Sequence, residues 1–375
     1  MRKLTILLMA IAMSMVLLTA ACGSEDPTAT PPAPDPTATS APDDSMDDME
    51  DQPRIVFSDL NWASAQLQNR IAQYILETGY GYETDVVFGA TLPLLQGLRA
   101  GDTQITMEIW LPNQDAAWVD ALAEGSVKEV GFSLGADWQS AFVIPRYLQE
   151  EYPELDSIED LKDPQFKELF ETPDSDGKAR LVSCVIGWAC EGVNDAQIAA
   201  YGLEDHVFAV KPGDGAAANA DLYGAYERQE PWLGYQWGTN DPALLLDLVR
   251  LEEPAYTDDC WTGLQAYIEA GFDGPAPSAG CGYRDAEIKI AIRTELADSE
   301  PELVSVLESW SFDIPQYGTV VAWQQDNPNA DIAESALWWL NNNQDEWSGW
   351  VTSDAEARIT AALGDNVIPD GWPTE

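Results

Sequence analysis

From Arg54 onward the hydrophobic positions alternate between two spacings, one that suits strands and one that suits helices. Ile55-Val56-Phe57 reads as a strand, and Leu67, Ile71, Tyr74 and Ile75 then recur at helical spacing, with Gly79 as the expected stop. Tyr82 to Phe88 reads as a strand and Leu92 to Arg99 as a helix. Ile105 to Ile109 is a further strand that Trp110 closes and Pro112 ends, followed by a helix through Ala116 to Leu122. A second set begins near Arg180: a strand to Cys184, helices from about Glu191 to Tyr201 and from Ala216 to Tyr226, and a strand from Trp232 to Trp237. The last hundred residues read mostly as helix, around 303–310, 332–340 and 355–363. Alternation of this kind predicts an α/β fold around mainly parallel sheets, in two lobes with a ligand cleft between them.

The first 53 residues follow a different pattern. Arg2 and Lys3 precede an apolar stretch from Leu4 to Leu18, which has the form of an export signal and is short for a membrane-spanning helix. Leu18-Thr19-Ala20-Ala21-Cys22 resembles a bacterial lipobox, which implies a signal peptide over 1–22 and an acylated Cys22 as the mature N-terminus. Residues 23–53 hold seven prolines and nine carboxylates, with no basic and no aromatic side chain, and Asp-Pro-Thr-Ala-Thr occurs twice. Such a segment buries too little apolar surface to offset its ordering entropy, so a disordered tether is expected.

Composition narrows the chemistry. The chain has 375 residues with 65 acidic and 18 basic side chains, a net charge of −47, which speaks against a nucleic-acid partner. Its one histidine, His206, excludes any site that needs two. Beyond Cys22 four cysteines remain, Cys184, Cys190, Cys260 and Cys281, in an exported chain where disulfides are permitted. Three connectivities are open, of which Cys184–Cys190 and Cys260–Cys281 are the simplest; a four-cysteine zinc site competes, although the spacings lack a paired Cys-x-x-Cys. Asp174-Ser175-Asp176-Gly177 reads as a turn, because its glycine comes too early for an EF-hand.

Fifteen tryptophans are a high proportion of 375 residues, and three of them stand at strand ends. Trp110 closes one strand, Trp188 lies in the turn between a strand and a helix, and Trp237 ends another strand. In open parallel sheets ligands bind beyond the carboxyl ends of the strands, so these three are candidates to face the cleft. Trp62 and Trp138 are possible additional lining residues, whereas Trp338, Trp339, Trp347, Trp350 and Trp372 read as packing within the helical C-terminal part.

Several segments carry a family resemblance: Met107-Glu108-Ile109-Trp110-Leu111-Pro112-Asn113-Gln114, Leu161-Lys162-Asp163-Pro164, Asp176-Gly177-Lys178-Ala179, Tyr235-Gln236-Trp237, Gly349-Trp350-Val351 and, most specifically, Cys184 to Gly192. In order and spacing they resemble the substrate-binding proteins of glycine betaine/choline (osmoprotectant) ABC importers, over about 54–375. The resemblance implies a type II periplasmic-binding-protein fold, with one lobe of 54–143 plus 248–375 and another of 144–247. It also implies that Trp110, Trp188 and Trp237 form an aromatic box around a quaternary ammonium group, such as that of glycine betaine, proline betaine or choline. A trimethylammonium cation has no N–H to donate, and its diffuse charge suits the negative faces of indole rings. In the family a ligand carboxylate meets backbone N–H groups after the second box tryptophan, which here are those of Ala189 and Cys190. Gln114 stands where some relatives place a histidine that contacts that carboxylate.

The function implied is that of a lipid-anchored receptor on the extracytoplasmic face of the membrane, a monomer and not an enzyme, needing no cofactor. It would deliver its ligand to permease and ATPase partner subunits. A secreted glycoside hydrolase, or a receptor of the same fold for sugars or cationic amino acids, is the alternative.

Overall fold

The computed structural model describes residues 52–134, 140–285, 287–365, 368–369 and 372. The signal peptide, Cys22, nearly all of the expected tether and Trp138 lie outside the described residues.

Two five-stranded sheets organise the chain, and they share one plan. The first has the order β2-β1-β3-β10-β4, built from β1 (Ile55–Leu60), β2 (Thr84–Gly89), β3 (Ile105–Leu111), β4 (Val127–Phe132) and β10 (Glu287–Arg293). The second has the order β7-β6-β8-β5-β9, from β5 (Ala141–Pro145), β6 (Ala179–Val182), β7 (Val207–Val210), β8 (Gly234–Gln236) and β9 (Leu248–Arg250). In each, three parallel strands joined by helices lie on one side with an antiparallel strand next to them, which is β10, arriving after the second sheet is complete, in the first sheet and β5, the strand that opens it, in the second. The expected mainly parallel sheets are therefore mixed. β10 runs antiparallel to both β3 and β4 because the chain re-enters the first sheet only after completing the second.

The second sheet draws its strands from residues 141–250, and β5 and β9 pair with one another in it. The strand expected over 232–237 contracts to Gly234–Gln236, where Gly234 lies so close to Trp232 and the Val182 carbonyl that a Cβ would meet them at 2.4 and 2.7 Å.

β3 is central and buried along its whole length, which explains its near-continuous apolar sequence and makes the charged exception, Glu108, conspicuous. The helix Ala63–Tyr74 follows β1 and packs against the C-terminal helix Ile332–Asn342. It does not stop at Gly79: it runs into a wider-wound turn, Ile75–Tyr80, and ends at Gly81, whose φ of 81° is left-handed. Gly79 serves packing instead, since a Cβ there would lie 2.9 Å from Ile359 of the helix Ser353–Gly364. The C-terminal helices begin as their sequences direct, with capping boxes at Asp313/Gln316 and Asp331/Glu334.

Candidate functional site

Four indoles stand at or just beyond the carboxyl ends of parallel strands. Trp62 follows β1, as the N-cap residue of the helix Ala63–Tyr74. Trp110 is the penultimate residue of β3, before a cis Leu111–Pro112 bond turns the chain. Trp188 is the N-cap residue of the helix Ala189–Ala200, after β6, and Trp237 comes directly after β8. The first pair belongs to the first sheet and the second pair to the second.

These residues converge on one small cavity, about 340 Å³ of space between the atoms when the part open to solvent is included. Every residue expected to touch ligand that falls within the described structure lines it: Trp110, Gln114, Trp188, Ala189, Cys190 and Trp237, together with Trp62. Thr91, Asn113 and Tyr235 complete the lining. The Trp62 and Trp188 rings meet at 5.0 Å and 71°, and those of Trp188 and Trp237 at 5.2 Å and 79°. Both contacts are edge-to-face, so at each one the ring that meets its neighbour by an edge keeps its face available. Tyr235, two residues before Trp237 on the same side of β8, stacks on it at 5.9 Å.

Hydrogen bonds hold the rings in place. The Trp62 and Trp110 indole nitrogens both donate to Glu108 Oε2, each at 2.8 Å. Ser64 Oγ and Gln68 Nε2 donate to Glu108 Oε1, again at 2.8 Å each. Burial pushes the Glu108 carboxyl above its ordinary range, and these four donors work against that shift. Trp188 donates across the cleft to Asn61 Oδ1 at 2.6 Å. Two further bonds join the same halves: the Leu92 amide donates to the Gly187 carbonyl at 3.2 Å, and the Tyr317 hydroxyl donates to Asp241. Burial raises the carboxyl of Asp241, opposed by that tyrosine.

The turn carrying Trp188 is closed by the Cys184–Cys190 disulfide, with Cα atoms 5.8 Å apart, and contains Gly187 in the left-handed region at φ 82°. The second disulfide, Cys260–Cys281, joins the segment between β9 and β10. That segment packs on the outer side of the helix Ala189–Ala200: Gln197 donates to the Cys281 carbonyl at 2.8 Å, and the Tyr283 hydroxyl donates to Asn194 at 2.6 Å. Two polar atoms of lining residues, Asn113 Oδ1 and Gln114 Oε1, are buried and have no partner in the protein. Among the described residues no cluster of three or more His, Cys, Asp or Glu is arranged to hold a metal ion, and no helix is long and apolar enough to cross a membrane.

The family model for the substrate-binding domain of ABC-type glycine betaine transport systems matches residues 53–342. The chain belongs to this family. Among the curated relatives of this glycine betaine-type substrate-binding domain, the glycine betaine/proline betaine-binding periplasmic protein of Escherichia coli (strain K12) is 26% identical over 269 residues, which are 70% of this chain and 78% of that protein. The trimethylamine N-oxide-binding protein of Pelagibacter ubique (strain HTCC1062) is 24% identical over 299 residues, 78% of this chain and 89% of that one. The fold matches that of an ABC-transporter choline-binding protein solved in complex with choline, with a TM-score of 0.64 at 18% identity over 83% of this chain and 98% of that chain. The two-lobed architecture of the substrate-binding domain family is thus present, with the cavity between its two sheets.

Reading the sequence missed Glu108, Thr91, Asn113 and Tyr235 as parts of the site. Glu108 and Tyr235 had a usable signal: each stands two residues before a box tryptophan within a strand, hence on the same face.

Proposed function

We propose that this protein captures a quaternary ammonium compound (glycine betaine, proline betaine or choline) in the cavity between its lobes and presents it to an ABC permease. The observation that carries this is the meeting of Trp110, Trp188 and Trp237, which are distant in sequence, around one cavity. Aromatic faces attract a methylated cation at ~0.5–2 kcal/mol per ring. Three or four rings supply several kcal/mol of the roughly 8 that micromolar binding needs, and lobe closure and polar contacts supply the rest. Trp188 makes no side-chain capping bond, so the first-turn N–H groups of Ala189 and Cys190 are the donors for a ligand carboxylate at a helix N-terminus. The unpartnered Asn113 Oδ1 and Gln114 Oε1 can accept from a ligand hydroxyl, and a carboxylate would need the amide N–H groups of these side chains instead.

The lobes in this reading are those of the two sheets, joined by crossovers near 133–140 and 251–286. Closure brings Trp188 to Asn61, and the closed form is the one the importer reads. Acylation at Cys22 and the tether over 23–53 would hold this receptor, a monomer, on the extracytoplasmic face of the membrane, with the ATPase and channel on partner chains. The role is one of transport rather than catalysis, a reading supported by membership of the substrate-binding domain family.

Titration calorimetry on the purified protein tests the reading. Heat is expected on adding glycine betaine, proline betaine or choline, with trimethylamine N-oxide included in the series, and none on adding glucose or arginine. Binding confined to sugars or to arginine, or turnover of a glycoside, overturns it.

A further inference from the structure

Glu108 is a charged side chain in the fully buried central strand, and it contributes nothing to the cavity wall itself. Its two oxygens accept four hydrogen bonds, which matches the capacity of an ionised carboxylate. Three of the four donors cannot also accept. Two are the indole N–H groups of Trp62 and Trp110. The third is Gln68 Nε2, whose amide orientation is pinned because Gln68 Oε1 accepts from the Trp310 indole at 3.0 Å and from Ser133 Oγ at 2.9 Å. A protonated Glu108 would have only Ser64 Oγ to donate to, so the surroundings fit the anion. This is a costly arrangement in a protein interior, and a packed apolar residue at the same point would avoid it.

What the anion does is fixed by where its partners point. Both rings from the first sheet are held by one oxygen atom, so their planes are set relative to each other before any ligand arrives. A carboxylate hydrogen-bonded at Nε1 also draws the indole N–H dipole towards itself and leaves the ring faces more electron-rich, and its charge sits at the N–H edges of the rings, outside the cavity lining. Both effects favour a cation at the ring faces and do nothing for a neutral molecule.

We propose that Glu108 is the positioning residue of the ligand cavity: its ionised carboxylate locks Trp62 and Trp110 by their indole N–H groups, and its charge at their N–H edges selects a permanent cation over an uncharged molecule of the same shape. This rests on the quaternary ammonium reading given above, and the experiment separates the two.

Wild type, Glu108→Gln and Glu108→Asp are each titrated with two pairs: choline against its carbon isostere 3,3-dimethylbutan-1-ol, and glycine betaine against 3,3-dimethylbutanoate. Thermal melts check that each variant is folded. The indole N–H resonances of ligand-free protein, assigned through Trp62→Phe and Trp110→Phe, supply a readout that needs no ligand. In Glu108→Gln the quaternary ligand is expected to bind at least tenfold more weakly, and its preference over the isostere to shrink at least threefold. The two indole resonances, downfield in the wild type, should move upfield. Glu108→Asp keeps the anion, so it should lose affinity but retain most of the preference; it is also the variant to read if Glu108→Gln does not fold. Unchanged affinity and preference in folded Glu108→Gln overturn the proposal, as does an equal loss for cation and isostere, which is what a merely structural residue would produce. If the wild type binds no quaternary ammonium ligand, the functional reading falls by itself, and unmoved indole resonances would then remove the clamp as well.

Discussion

The protein contains two clusters of tryptophan that use the same side chain in opposite ways. In the C-terminal helical part Trp339 and Trp350 lie nearly parallel, at 18° and 5.7 Å, and Trp350 and Trp310 meet at 32° and 4.4 Å. There the ring faces cover one another, and two of the indole N–H groups go to partners within the same part of the chain, Trp347 to the Leu340 carbonyl and Trp350 to Ser311. Between the two sheets the indoles meet one another at 71° and 79°, edge against face, with Tyr235 covering one face of Trp237, and the N–H groups go to Glu108 and, across the cleft, to Asn61. The first cluster is filled by its own rings and the second encloses a space. Burial alone does not distinguish them, since Trp110, Trp188 and Trp237 are as inaccessible as Trp350. What separates a packing cluster from a binding cluster is whether the aromatic faces are already taken.

The largest effect is expected where the faces are taken. Trp339 is wholly buried, and Trp339→Ala should cost about 3–5 kcal/mol of stability, read as a lower midpoint in denaturant melts. Affinity for the quaternary ligand, measured under conditions where the variant remains folded, should not change. A variant that keeps its midpoint and loses affinity would place Trp339 in the wrong cluster.

Trp188→Ala should give the reverse pattern. Its ring touches those of both Trp62 and Trp237, and its N–H makes the bond across the cleft. The loss of cation–π contact, packing and that bond together should weaken binding by about 2–3 kcal/mol, roughly thirty- to a hundred-and-fiftyfold, in a fluorescence or calorimetric titration. The melting midpoint should move far less than in Trp339→Ala. Unchanged affinity would exclude the ring from the binding cluster.

The distinction between the clusters was partly legible in the sequence, and the reason lies in what strand ends announce. Trp110 and Trp237 each sit where a strand pattern stops, and Trp188 where a turn precedes a helix, so all three could be placed at carboxyl ends of strands without coordinates. Trp62 holds an equivalent position after β1, but a tryptophan that caps a helix has the same local pattern whether it faces a cleft or a core. Glu108 shares a strand face with Trp110, but that spacing alone did not single it out. It is one of 65 acidic residues, and its meaning depends on β3 being a central strand, which takes the pairing with β10 from about 180 residues later. The same long-range pairing hid the mixed character of the sheets. Helices at the C-terminus were easier, because Asp331 and Glu334 announce a helix start from four consecutive residues. The cysteines lay between these cases: the spacing favoured two local bridges, and choosing between three connectivities took the juxtaposition of Cys184 with Cys190 and of Cys260 with Cys281.

The smallest effect tests how separate the two clusters are. Trp310 belongs to the C-terminal cluster through Trp350, yet its N–H donates to Gln68, which in turn donates to Glu108 beneath the cavity. Trp310→Phe keeps an aromatic ring against Trp350 and removes only the donor. Gln68 Oε1 would retain Ser133 as a partner but lose the bond that fixes its amide orientation, so the Gln68 donor would serve Glu108 only part of the time. Glu108 would still hold both indoles, and the loss of affinity should be two- to threefold, about 0.5 kcal/mol, with a stability cost of about 1 kcal/mol. Both are within reach of paired calorimetric titrations and denaturant melts. No change in affinity would make the clusters independent, with Gln68 adequately held by Ser133 alone. A loss as large as that of Trp188→Ala would mean that packing and binding tryptophans form a single cooperative unit, and the contrast between covered and open faces would then not explain which residues bind.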